Sequence, residues 1–271
     1  PTIKFVKSIE GFESPWGVAY GNNGILYISD TDAQKISIFQ NETKSNFVKF
    51  DLKPFPRDLS INSNGDVFVV LSSFGQIQHC YKNGTLGPKI GAKGRGKTDL
   101  NIPRSVAVGG DYLYITDTES HRIQVFGQNG HYVHSFGKSG SGPSEFQFPL
   151  CISHQKDLLA VTDCDNHRVQ IFDRKTYELK FHFGTNGNSS GQFNKPIGIA
   201  FDQRGNIVVG DSENNRIQIF SPQGNFLAEF GQSGSNDGDF NGPRGLDVSQ
   251  NGQIAIADFG NKRVQIFQIT Y

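Results

Sequence analysis

Residues 196–231 read PIGIAFDQRGNIVVGDSENNRIQIFSPQGNFLAEFG. Four short runs lie within them: PIGIAF from Pro196, a run ending at Asp211, RIQIF from Arg216 and NFLAEF from Asn225. Each alternates apolar and polar residues with period two and is bounded by Gly, Asn or Asp. That is the pattern of strands with one face buried, joined by hairpins. Arg204-Gly205-Asn206 and Gln223-Gly224 supply the tight turns, which need a positive φ.

The same unit recurs on both sides. Pro15, Pro56, Pro103, Pro149, Pro196 and Pro243 each introduce an alternating run, at spacings of 41, 47, 46, 47 and 47 residues. Second runs end at Asp30, Leu71, Asp117, Asp163, Asp211 and Asp258. KISIF, QIQHC, RIQVF, RVQIF, RIQIF and RVQIF follow as third runs. Asn64-Gly65, Asn129-Gly130 and Asn251-Gly252 add further tight turns. A fixed period of this length marks a repeat architecture. Six units of four antiparallel strands predict an all-β, six-bladed β-propeller. The sixth unit stops after its third run, while an orphan alternating segment, Ile3 to Ile9, precedes the first. The N-terminal strand is therefore expected to complete the last blade, which removes an exposed edge. The expected single domain spans 1–271, with blades at 15–52, 56–91, 103–137, 149–184, 196–231, and 243–270 plus 2–9.

The chain has 271 residues, and its 26 Lys+Arg balance its 26 Asp+Glu. A globally basic nucleic-acid binder and an acidic tail are thereby excluded, but a local patch of either sign is not. Mean hydropathy is −0.43, and no apolar run approaches the roughly 18–20 residues of a membrane span. No membrane partner is expected. Glycine, at 32 residues, suits a fold of many turns. No Met occurs, even at position 1, as expected of a domain cut from a longer protein. Cys80, Cys151 and Cys164 are too few for a disulfide framework, so a reduced, cytoplasmic setting is expected. Sequons at Asn41, Asn83 and Asn188 are no more than chance supplies.

The unit P-x-G-I-A-x-D…G-N-I-x-V-x-D-S-x-N-N-R-I-Q-I-F-x-x-x-G-x-F-x-x-x-F-G resembles the NHL repeat. Residues 196–231 match it best, and 103–137, 149–184 and 243–267 follow closely. Repeats one and two are degenerate. The linkers 184–196 and 231–243 share the form G-x-x-G-x-x-x-G-x-F-x-x-P. Six such repeats resemble the propeller domain of TRIM-NHL proteins. That resemblance implies a post-transcriptional regulator whose propeller binds RNA, single-stranded or as a stem-loop, and has no catalytic role. Any ubiquitin-ligase activity would belong to RING regions outside these residues.

Several motifs have structural readings. Asp-x4-Arg occurs at Asp117/Arg122, Asp163/Arg168, Asp211/Arg216 and Asp258/Arg263, where a four-residue loop sets the two residues opposite each other. A cross-strand ion pair follows. Repeat one has Asp30/Lys35 and repeat two Leu71/Gln76, so the positions change together. The glycines after Phe136, Phe183 and Phe230 have no helix N-terminus after them to hold a phosphate and read as turns. His121 and His167 hold equivalent loop positions, followed by Asn215 and Lys262; repeat equivalence alone does not make a metal site. No cofactor, metal or catalytic residue is expected.

The ring is asymmetric at the residue after each leading proline. From the sixth blade these are Arg244, Trp16, Arg57, Arg104, Leu150 and Ile197, so one half is basic and aromatic and the other aliphatic. The neighbouring loops agree: Phe259 and Lys262, Lys35, Phe74, and the linker with Lys93, Arg95 and Lys97. Cations interleaved with aromatic rings hold single-stranded nucleic acid, since phosphates meet charges while bases stack. Arg57, Arg104 and Arg244 are the candidate phosphate or base-edge contacts. Trp16, Phe74 and Phe259 are the candidate stacking platforms, with Trp16 alternatively a plug for the channel. The five lysine and arginine residues of the loops extend the patch. The two degenerate repeats also fall in this half, which a purely structural ring would not require. Residues alone leave three readings open: RNA binding, docking of a protein partner, and solvated surface. A metal-dependent lyase or hydrolase is a further alternative. The propeller itself is expected to be a monomer.

Overall fold

The computed structural model describes residues 1–22, 24–51 and 53–271. Asn23 and Leu52, the latter ending the expected first blade, lie outside the described residues. Six four-stranded antiparallel sheets succeed one another along the chain, with no α-helix among the described residues. Five sheets keep sequence order from the innermost strand outward. The sixth is finished from the other end of the chain: Thr2–Ile9 lies against Arg263–Thr270, with Thr2 opposite Thr270 and Ile9 opposite Val264. The molecule is a closed six-bladed propeller. The last residue adds a clasp, since the Tyr271 hydroxyl bonds the Asp202 carboxylate, accepts from Asn206 Nδ2 at 2.7 Å and carries the Arg204 guanidinium 4.4 Å from its ring centre.

The core is divided into six apolar clusters, each formed where one blade packs on the next. Both faces of a middle strand are therefore covered, and Val67–Leu71, reading VFVVL, is buried at every position. Four long linkers each wedge one apolar side chain into a junction: Leu100, Phe146, Phe193 and Phe240 are all 0% exposed. The Phe rings explain the glycines that end the outer strands. A Cβ on Gly137, Gly184 or Gly231 would lie 2.4–2.5 Å from the ring of Phe146, Phe193 or Phe240.

The Asp-x4-Arg motif holds these linkers. Arg Nε meets the Asp carboxylate at 2.7–2.8 Å in all four blades, with every Asp 0% exposed. The second Asp oxygen accepts a linker N–H, from Asn101, Gln147, Asn194 or Asn241. Arg Nη2 donates to linker carbonyls, as Arg216 does to Ser189 and Gln192. The pair thus fixes a whole linker as well as the hairpin. This also explains the degenerate repeats. The segment leading into blade two is six residues shorter than its counterparts, so an arginine at Gln76 would have no long linker to grip. In blade one Asp30 faces Lys35 but accepts instead from the Glu13 and Ser14 amides, and no Asp30–Lys35 ion pair is present among the described residues. The divergence of repeats one and two therefore has a structural cause and lends no weight to a binding role.

Candidate functional site

Backbone irregularity at the start of each inner strand sets the site. In five blades the ladder skips two residues after the leading proline, as between Pro56 and Leu59 or Pro243 and Leu246. In blade three the strand begins only at Val106. Such a bulge re-aims side chains. The preceding blade then pins the freed backbone: Ser29 Oγ donates to the Arg57 carbonyl, and Thr116 Oγ1 and Thr162 Oγ1 donate to Leu150 and Ile197 at 2.9 and 2.8 Å.

Three arginines so displaced converge on Trp16. The guanidinium carbons of Arg57, Arg244 and Arg104 lie 4.0, 5.2 and 5.7 Å from its ring centre. Phe259 meets Trp16 edge to face at 5.7 Å and has Arg244 5.2 Å from its own ring centre. Trp16 is only 9% exposed, and its ring forms the hub on which the cations rest. Unlike the four clamp arginines, none of the three is paired with a carboxylate among the described residues. Their Nε atoms are buried without hydrogen-bond partners; one guanidinium nitrogen, Arg244 Nη1, reaches Ser212 Oγ at 3.2 Å. Burial, followed by repulsion from Arg104 and Arg244, lowers the Arg57 pKa to about 10. Burial also lowers Arg104 and Arg244, with Glu119 and Glu213 respectively opposing the fall. At about 10, Arg57 remains cationic at neutral pH. Three half-buried guanidinium groups thus gather around one ring with no carboxylate in ion-pair contact among the described residues.

The other expected residues are distributed unequally. Lys262 is exposed at the end of the short turn Phe259–Asn261, beside the hub. Lys35 is half-buried between Asp30 and Lys49. Phe74 packs against the core between blades one and two and meets Lys89, with its ring centre 5.7 Å from Nζ. Lys93, Arg95 and Lys97 are exposed on their linker, and Lys97 lies 5.3 Å from the ring centre of Tyr132 on the outer strand of blade three. The three candidate stacking platforms are half-buried, as Phe74 and Phe259 are, or buried, as Trp16 is. His121 and His167 have a plain role: their Nδ1 atoms accept the Phe148 and Lys195 amides at 3.2 Å, as Asn215 Oδ1 accepts that of Gly242 at 2.8 Å.

Sequence reasoning missed the carboxylates that line the channel beneath the hub. A cavity of about 150 Å³ there is lined by Asp58, Ser60, Ser153, His154 and Asp247 among apolar residues. Burial pushes Asp58 up to about 7, an effect the Ser105 hydroxyl opposes and the Asp247 charge augments. Burial raises Asp247 to about 6, against hydrogen bonds from the Tyr20 and Val248 amides. A signal existed: at these two positions of the inner strand the other repeats carry only Gly, Ser or Cys, and only Ala or Ser. Among the described residues no three of His, Cys, Asp and Glu are grouped to hold a metal ion. No helix among them is long and apolar enough to cross a membrane.

The NHL repeat family model matches residues 12–39, 193–220 and 240–267, and a family described as 6-bladed beta-propeller matches 95–187. The chain is 47% identical over 47 residues to protein lin-41 of Caenorhabditis elegans, covering 17% of this chain and 4% of that protein. It is 50% identical over 44 residues to the E3 ubiquitin-protein ligase TRIM71 of Bos taurus, covering 16% and 5%. The chain therefore matches only a small part of each relative's length. Among solved structures, that of a streptogramin B lyase superposes with a TM-score of 0.71 at 15% identity, covering 98% of both chains. That likeness concerns the fold alone. The fold and these matches define a six-bladed β-propeller. The chain is an NHL-repeat propeller with partial homology to TRIM-NHL proteins.

Proposed function

We propose that this propeller binds RNA, single-stranded or as a stem-loop, on the face around Trp16, as a non-catalytic domain of a cytoplasmic post-transcriptional regulator. One observation carries the reading: Arg57, Arg104 and Arg244 surround one aromatic hub with no carboxylate in ion-pair contact among the described residues. A phosphate seated among the three guanidinium groups would supply the ion-paired anion they lack. Phe259 and the rim of Trp16 would receive a stacked base, worth about 1–3 kcal/mol. Lys262, Lys35, Lys93, Arg95, Lys97 and Phe74 would extend the track around blades six, one, two and three. With three or four phosphates held, log affinity should fall against log salt with a slope of about −2 to −3.

The test is charge reversal. Arg104→Glu with Arg244→Glu should weaken binding of a selected RNA more than tenfold, while Lys180→Glu, on the outer edge of blade four, should not. Binding indifferent to both reversals and to salt would end this reading. Arg and Trp are also favoured at protein interfaces, so docking of a protein partner on the same hub is the second reading. Pull-down with the same variants tests it.

A further inference from the structure

A second pocket, of about 390 Å³, opens between blades three and four, where the strand-one/strand-two turn of blade three meets the outer turn of blade four. Its lining includes Gly109, Tyr112, Tyr114, Arg174, Lys175 and Tyr177. Arg174 Nε is buried and has no hydrogen-bond partner, and the same holds for His154 Nδ1. Both close on Gly109: a Cβ there would lie 3.0 Å from Arg174 Nη1, 3.1 Å from the Tyr114 ring and 3.3 Å from His154 Nδ1. The missing Cβ is what lets these three side chains close on the backbone at this wall of the pocket. Burial raises the Tyr114 phenol to about 12 and the Tyr177 phenol as well, so both keep their protons as donors. Tyr112 is 39% exposed at the rim. The Tyr177 ring is held in place by stacking on His134 and Phe136.

The neighbouring charges identify the ligand. Two nearby carboxylates are already taken, Asp157 by Lys175 at 3.0 Å and Asp173 by Lys180 at 3.3 Å. Arg174 is left half-buried with no carboxylate partner among the described residues. The rim also carries Asp111, so the pocket offers one free positive charge inside a partly acidic border. A polyanionic backbone is repelled there, whereas a single carboxylate on an apolar or aromatic body fits the guanidinium, the phenols and the volume. We propose that this pocket is a recognition site for a carboxylate borne beside an apolar side chain, as the C-terminus of a partner protein presents it. The site is independent of the arginine hub and does not rest on RNA binding.

N-acetylphenylalanine, its amide, N-acetylglutamate α-amide and inorganic phosphate should be titrated into the intact domain while the backbone amide resonance of Gly110, which lines the pocket, is followed by NMR. The free acid should give a saturable shift with a midpoint on the order of 1 mM, and its amide none. Arg174→Gln should abolish the response, and the rim variant Tyr112→Ala should weaken it severalfold without touching the buried residues. A glutamate α-amide that binds as well as the free acid would support the carboxylate and overturn the chain-terminal assignment. Phosphate matching the free acid, an amide matching the acid, or no saturable response would overturn the site. An RNA that shifts the same resonance and loses affinity on Arg174→Gln would overturn it in favour of nucleic acid.

Discussion

Two carboxylates in the channel bind their protons more tightly in the folded protein than in an unfolded chain, where Asp titrates near 3.9. Asp58 is raised to about 7 and Asp247 to about 6, each by burial first. Between about pH 4 and pH 7 the native state therefore holds the extra protons, so stability falls as pH rises through that window and levels off above it. Asp58→Asn should flatten this slope and raise the melting temperature at pH 8, by roughly 2–4 °C for each kcal/mol of penalty removed. Thermal denaturation from pH 4 to 8 checks it; slopes unchanged in both Asp58→Asn and Asp247→Asn would contradict the assignment. The small residues at the equivalent positions set these two apart, but a lone Asp in an alternating strand reads as a solvent-facing position. Only the closure of six inner strands around one axis turns that face inward. The arginine hub was legible for the opposite reason: the residue after each leading proline is marked by the proline itself, so an asymmetry around the ring shows before any coordinates. What the sequence did not convey was burial, since three cations around Trp16 look the same whether the ring is exposed or buried.

Strand alternation, turn glycines and the spacing of the prolines made the blades readable, because each blade is built from local patterns repeated six times. The purpose of Asp-x4-Arg was only half readable. The hairpin partner is five residues away, but the clamped linker lies 23–27 residues upstream of the arginine and emerges only from the fold. The clamp makes a quantitative prediction. Arg216→Ala leaves the buried Asp211 carboxylate with backbone and amide donors but no cation, and should cost about 3 kcal/mol in urea denaturation. Replacing both members with the pair found in blade two, Asp211→Leu with Arg216→Gln, should cost less than Arg216→Ala alone. It should still destabilise, because the Ser189 and Gln192 carbonyls lose a donor. A loss below 1 kcal/mol for Arg216→Ala would show that the clamp is incidental.

Ring closure depends on the pairing of Thr2–Ile9 with Arg263–Thr270. Deleting residues 1–9 removes that outer strand and uncovers the edge of blade six, so the shortened protein should melt at a lower temperature and associate on standing. Calorimetry and light scattering report both, and an unaltered melting point without association would count against closure by this strand. The geometry of the seam also has a mechanical consequence. Because Thr2 stands opposite Thr270, both ends of the chain leave the ring at one place, and tension applied between them acts across a single pair of strands. The Tyr271 clasp would give way first, then the rungs of the seam would separate one after another from the terminal end, as a zipper opens, while the other five blades carried no load. Under a pulling force the domain should therefore yield early and always at blade six, however stable it is to heat.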